Sequence, residues 1–387
     1  MDRRTILKNA VSLSAAIATL GYRRAFAQSP EIRIGCLSAS SGPAAFIGTT
    51  EKTQFDLMVE QFNAKGGMSG HKVVPFYYDT EGNSTNAAQQ FRRLAESDKV
   101  HVVIGPSTTG EAMVLKPIAD ELKVPMISMT GTEALVVPSS PYVFKVAPTD
   151  RLVATQMLTF AKSKGWNKIG IISSADGFGQ AGSGLLKASA DKVGVKIVAA
   201  EEFGPRDTDM TPQILRIRRA DIDVMLIWSV NPGPTIILKN VAASGFNKPI
   251  VNSFGVASQQ LLDQAGASAE NTYVSTMRLL IPDAMPDSDP LKATVSKVAA
   301  AYIARYKTAP TTFVGHTYDA MTLVELALQK AGKADREALL AAILSGISFP
   351  GCNGAMKYSA DNHGGQDESV SPVVMAFIKG GKFKIAE

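Results

Sequence analysis

Three observations predict an α/β protein of two lobes for this chain of 387 residues. Apolar runs of strand length alternate with amphipathic helical stretches, the pattern of a parallel sheet with helical crossovers. The alternation starts twice, once after residue 30 and again near Thr149. No low-complexity linker separates the two series, so the lobes share a hinge rather than a flexible tether. At 45% hydrophobic and 19% charged residues the composition supports a large core and excludes a disordered, collagen-like or coiled-coil chain.

Taken in order, residues 31–37 read as a strand and Ser41-Gly42-Pro43 punctuates it. Residues 50–63 follow as a helix, with Phe55, Met58, Val59 and Phe62 on one face. Gly66-Gly67 stops it, as glycines do after a helix. A strand at 72–78, a helix at 86–96, a strand at 100–104, a helix at 111–122 and a strand at 125–129 complete the first series. The second opens with a helix placing Val153, Met157, Phe160 and Ala161 on one face, then a strand at 168–172. A helix at 182–193, a strand at 195–200, a helix at 211–220 and a strand at 223–228 continue it. Helices at 291–306 and 317–331 come later, and a strand at 373–378 turns through Gly380-Gly381 to Phe383.

The formal charge of +5 is concentrated at the start, where residues 1–27 hold five basic side chains and one acid. The near-neutral remainder gives no reason to expect nucleic acid or an anionic membrane surface as a partner. Arg3-Arg4, an apolar stretch at 11–20 and Ala25-Phe26-Ala27 form an export signal, cleaved near Ala27. The paired arginines resemble a twin-arginine signal, and an ordinary Sec signal is the alternative. Either route gives a periplasmic protein. Cys36 and Cys352 are far apart and lie in a strand and a Gly-rich turn, so two unpaired thiols are expected.

Catalytic motifs are sparse. Gly177-Phe178-Gly179-Gln180-Ala181-Gly182 is a literal G-x-G-x-x-G, with Glu201 and Glu202 about twenty residues on, as a dinucleotide site requires. Four residues separate its first glycine from the preceding strand, where the dinucleotide turn is immediate, so a generic βα loop is the preferred reading. His71, His101, His316 and His363 are isolated, without metal-ligand spacing, and His101 reads as a structural histidine. Arg216, Arg218 and Arg219 read as a solvated helix face.

What remains is a set of hydroxyl-rich loops after first-lobe strands: Ser38-Ala39-Ser40-Ser41, Ser107-Thr108-Thr109-Gly110 and Ser128-Met129-Thr130-Gly131-Thr132. Open α/β sheets bind ligands beyond the carboxyl ends of their strands. Hydroxyls and free N–H groups at a helix N-terminus suit a carboxylate without any Lys or Arg.

The chain resembles the leucine/isoleucine/valine-binding protein family, the type I periplasmic solute-binding components of ABC transporters. The resemblance covers residues 30–387 and is carried by strings in a fixed order. These are 37–43, 63–70, Tyr78-Asp79, Ile104-Gly105-Pro106-Ser107-Thr108-Thr109-Gly110, 124–128, Asp176-Gly177-Phe178-Gly179 and Tyr318-Asp319-Ala320. It implies the type I periplasmic binding protein fold, two Rossmann-like lobes joined by a three-strand hinge, and no enzymatic activity. The crossovers are expected near 146–150, 274–278 and 349–355, giving lobe one as 28–147 and 277–350, and lobe two as 148–276 and 351–387.

The resemblance implies a monomer without cofactor that delivers a small carboxylate-bearing solute to an ABC permease. Thr109 matches the residue gripping the carboxylate, with Ser107 and Thr108 beside it, and Thr130 and Thr132 match the pair after the next strand. Phe178 matches the aromatic cover from the second lobe, and Trp228, Ser229 and Asn231 are further cleft candidates. The acid that meets the α-ammonium in amino-acid binders falls at Phe254 here. That departure favours an aromatic or aliphatic acid over a branched-chain amino acid, with Asp176 as the residue able to substitute for the missing acid. An exported NAD(P)-dependent oxidoreductase built on the glycine string, and a ligand sensor of the same fold, are the alternatives.

Overall fold

The computed structural model describes residues 30–386 apart from Pro205 and Asn231, so the expected export signal and one cleft candidate lie outside the described residues. The first lobe is a parallel sheet of β1 (Glu31–Ser38), β2 (Lys72–Asp79), β3 (Val102–Ile104), β4 (Met126–Ser128) and β5 (Val143–Lys145) in the order β2-β1-β3-β4-β5. Pro75 is tolerated within β2 because that strand is an edge, where the ladder lacks a second partner. Between the strands lie α1 (Ala45–Ala64), α2 (Ser84–Glu96) and α3 (Thr109–Leu122).

The second lobe repeats the plan. It contains α4 (Asp150–Ser163), β6 (Lys168–Ser174), α5 (Gly177–Val193), β7 (Lys196–Phe203), α6 (Thr211–Arg219), β8 (Val224–Trp228) and α7 (Gly233–Ser244). β9 (Ile250–Asn252), α8 (Gln259–Ala265) and β10 (Tyr273–Thr276) follow. The parallel order β7-β6-β8-β9-β10 matches that of the first sheet strand for strand. β13 (Val374–Ile378) and β14 (Phe383–Ile385) extend it antiparallel through the expected glycine hairpin. In both sheets the strand order reverses beside the first strand, the place where open α/β sheets leave a crevice.

α9 (Lys292–Tyr306), α10 (Thr312–Ala331) and α11 (Arg336–Leu344) return to the first lobe, where Met321, Val324 and Leu328 of α10 share a core with Ile32, Ile34 and Phe144. The chain first crosses after Lys145 and returns after Thr276. The third crossing departs from expectation. Residues 349–355 form the turn of a hairpin, β11 (Ile347–Pro350) with β12 (Ala355–Tyr358), whose Phe349, Met356 and Tyr358 pack in the first-lobe core. Asp319 closes that turn, accepting from Cys352 N (2.7 Å), Asn353 N (2.9 Å) and Asn353 Nδ2 (2.8 Å). The glycines that suggest a linker instead serve a tight turn, since a Cβ on Gly351 would lie 2.8 Å from the Asp319 carboxylate. Residues 351–366 therefore pack on lobe one, and the crossing follows them. Gln366 donates to Val146 O (3.2 Å) and Arg278, paired with Asp289 at 2.7 Å, donates to Ser371 O (2.7 Å), which ties the three crossings together.

Cys36 and Cys352 are buried free thiols. Among the described residues no helix is long and apolar enough to cross a membrane, and no cluster of His, Cys, Asp and Glu could hold a metal.

Candidate functional site

Between the lobes lies a cavity of about 350 Å³, lined by the loops that follow β1, β3 and β4 on one side and β6, β8 and β9 on the other. Both contributing sheets present their C-terminal strand ends here, as the topology requires.

Lobe one supplies hydroxyls, and most of them are already satisfied. Ser107 Oγ donates to Glu51 and accepts from Ala39 N at 3.0 Å. Thr108 is the N-cap of α3 and shares a capping box with Glu111, so its hydroxyl is also committed. Thr130 Oγ1 lies 2.9 Å from Ser128 Oγ, which also accepts from Thr130 N at 3.2 Å. Thr109, the first residue of α3, faces the cavity with no protein partner for its hydroxyl among the described residues. Thr132 does not line the cavity; it is buried and leads into a 3-10 turn at Glu133–Leu135. The Ser38–Ser41 loop is likewise turned away, its Ser40 and Ser41 N–H groups donating to Asp79 at 3.0 and 3.3 Å.

Lobe two supplies rings. Phe178, in the first turn of α5, meets Phe254 edge to face with centroids 5.5 Å apart, and both line the cavity. Trp228 does not line it. Its indole is fully buried behind them, with centroids 5.6 Å from Phe178 and 6.3 Å from Phe254, so it backs the wall. The glycine string is explained by the same packing. α5 begins at Gly177, five residues before the expected start, with Asp176 as N-cap accepting from Gly179 N at 2.8 Å. A Cβ on Gly179 would lie 1.9 Å from Ser174 O, and one on Gly182 would lie 2.0 Å from the Trp228 ring. These glycines bring helix onto strand. Glu201 pairs instead with Arg216 at 2.8 Å. Ser229 lines the cavity, its hydroxyl donating to Val230 O at 3.2 Å.

The two walls touch at the helix starts. A Cβ on Gly177 would lie 3.7 Å from Thr109 Cγ2 and 3.8 Å from Gly110 N, so the N-termini of α3 and α5 meet across the cleft. Two helix N-termini converging beside a free hydroxyl favour an anion. On the floor, a Cβ on Gly131 would lie 2.4 Å from Asp150 Oδ1 and 3.1 Å from Phe254 Cζ, so only glycine lets the lobes approach there.

Several lining residues lie outside the sequence-derived set, notably Ile47, Met129, Phe203, Asp207, Phe313 and His316. α10 starts at Thr312 rather than 317, because Thr311 caps it by accepting from Phe313 N. That added turn carries Phe313 and His316 into the cleft. Burial pushes the His316 imidazole down to about 3, with the Lys145 ammonium adding to the effect. Burial likewise pushes Glu51, beneath Ser107, up to about 8. Asp207 is engaged in a turn, accepting from Gly204 N at 2.8 Å.

The sequence profile described as periplasmic binding protein matches residues 31–379. The Leu/Ile/Val-binding protein BraC3 of Rhizobium johnstonii is 24% identical over 90% of this chain and 93% of its own. An extracellular ligand-binding receptor from Rhodopseudomonas palustris HaA2 superposes with a TM-score of 0.85 at 29% identity, covering 92% of this chain and 99% of its own. A solute-binding protein of an ABC transporter from Rhodopseudomonas palustris BisB5, solved with 3,4-dihydroxybenzoic acid, has a TM-score of 0.77 at 22% identity, covering 91% and 95%.

Proposed function

Because this chain belongs to the periplasmic binding protein family, whose members bind solutes rather than catalyse reactions, we propose that it captures a small carboxylate between its lobes and delivers it to an ABC permease. The observation that carries this reading is the unpartnered Thr109 hydroxyl where the starts of α3 and α5 meet. Thr109, with the free N–H groups of that turn, grips the carboxylate, and Phe178 and Phe254 cover the rest of the ligand. Thr130 and Ser107 hold the loops in place rather than reach the ligand. Export through the segment ending near Ala27 places the protein in the periplasm.

The ligand is an aromatic or aliphatic acid rather than leucine, isoleucine or valine. An α-ammonium in a closed cleft needs an anionic or carbonyl partner, and an unpaired buried charge costs several kcal/mol. Phe254 stands where amino-acid binders of the family carry that acid, and its ring favours hydrocarbon. Relatives of this fold are named for both ligand kinds, so the wall chemistry, not the fold, supports the choice. Calorimetry tests it: benzoate-type or medium-chain acids are expected to bind at micromolar level or better, with leucine weaker. Micromolar leucine with those acids silent overturns the reading, and would make Asp176 the ammonium partner.

A further inference from the structure

We propose that the ligand carries a second, uncharged oxygen (a hydroxyl or keto group) and that the His316 imidazole on α10 binds it. This rests on the carboxylate reading above and adds a second point of contact to it.

His316 is 1% exposed, lines the cavity, and has no hydrogen-bond partner for either ring nitrogen among the described residues. Its Phe313 neighbour offers only a ring edge, at 5.5 Å between centroids. The other three histidines are engaged. His101 Nδ1 accepts from Arg33 N at 3.0 Å, His363 Nδ1 lies 3.0 Å from Val143 O, and His71 Nδ1 lies 3.2 Å from Ser69 O. Buried polar groups are normally paired; His316 is the one histidine that is not, and among the described cavity-lining residues only Ser174 Oγ shares that condition. The adjacent polar side chain is committed elsewhere, since Thr317 Oγ1 donates to Glu51 O at 3.2 Å.

The kind of oxygen follows from the wall. Burial and the Lys145 ammonium keep the imidazole neutral, so it offers one donor and one acceptor. A hydroxyl matches either nitrogen, and a keto oxygen matches the N–H. A second carboxylate does not fit, because among the described residues no Lys or Arg lines the cavity and the charged lining residues are the acids Asp176 and Asp207. A site built to bind a ligand hydroxyl rejects the analogue lacking it.

The test uses matched monocarboxylates on the full chain by calorimetry: benzoate against 3- and 4-hydroxybenzoate, and hexanoate against its keto derivatives. The best oxygenated member is expected to bind about tenfold more tightly than its plain partner. His316→Phe should erase that gap, while His316→Gln, which keeps a donor and an acceptor, should retain part of it. If the Phe variant does not fold, His316→Met carries the same comparison. Plain acids binding as tightly as every oxygenated partner, or a gap that survives loss of the imidazole, overturns this proposal alone. Silence of the whole panel overturns it together with the carboxylate reading.

Discussion

The two walls of the cleft are built from the same strand-to-helix plan and solve opposite problems. The first-lobe wall is polar, and its hydroxyls mostly satisfy one another or the backbone: Ser107 holds Glu51, Thr108 holds Glu111, Thr130 holds Ser128. The second-lobe wall is aromatic, with Phe178 and Phe254 backed by Trp228 and a glycine helix pressed against the indole. A hydroxyl-rich loop is therefore a poor guide to ligand contact, because capping and loop closure use up its donors. One hydroxyl left over at a helix start carries more information than eight in sequence. The aromatic wall has no such competition, and its shape is fixed by packing alone.

The largest expected effect breaks the aromatic side. Gly182→Val drives a branched side chain into the Trp228 ring, where even a Cβ has 2.0 Å, and should cost about 3 kcal/mol or more in chemical denaturation. Gly110→Ala at the polar wall, with Ser84 Oγ at 3.7 Å from the added carbon, should change stability little. Comparable losses in both would show that the walls are packed alike.

Thr109→Val sharpens the polar side. A hydrogen bond to a charged group contributes about 1.5–3 kcal/mol, so acid affinity should fall roughly ten- to a hundredfold with the melting curve unchanged. Unaltered affinity would move the carboxylate away from the start of α3.

Per pH unit the smallest effect is a pH dependence carried by Glu51 beneath the polar wall. Its folded value is pushed from 4.5 up to about 8 by burial, so between those limits the folded state holds a proton that the unfolded state has released. Stability should then fall as pH rises through that window, by at most about 1.4 kcal/mol per pH unit, and recover on acidification towards pH 5. Glu51→Gln should flatten the profile measured by denaturant titration at several pH values. An identical slope in the variant would assign it to another buried acid, such as Asp150, which burial also raises.

Local pattern made much of this molecule legible. Strands such as β1, β2 and β6 and helices such as α1 and α9 show their period in the residues themselves, with boundaries moving by a few positions. The short strands β5, β9 and β10 escaped that reading because three or four residues, polar ones among them, carry no period, and pairing within the sheet defines them. Helix starts drifted for a related reason. α5 and α10 begin five residues early because Asp176 and Thr311 cap them, and a cap is a hydrogen bond rather than a pattern.

The sequence by itself determined the two lobes and the strand-end loops that face each other, and its family resemblance singled out Thr109, Phe178 and Phe254, all three of which line the cavity. Only the tertiary structure decided that Trp228 backs the wall, that Thr132 and the Ser38–Ser41 loop turn away, that the 349–355 segment is a hairpin, and that His316 is left without a partner. Each of these depends on groups far apart in the chain competing for the same space or the same donor. Glu51 reaches Ser107 and Asp319 reaches Cys352 and Asn353 only once the sheets are assembled. Periodicity reports which face of an element is buried; which polar atoms remain free afterwards is settled by long-range pairing.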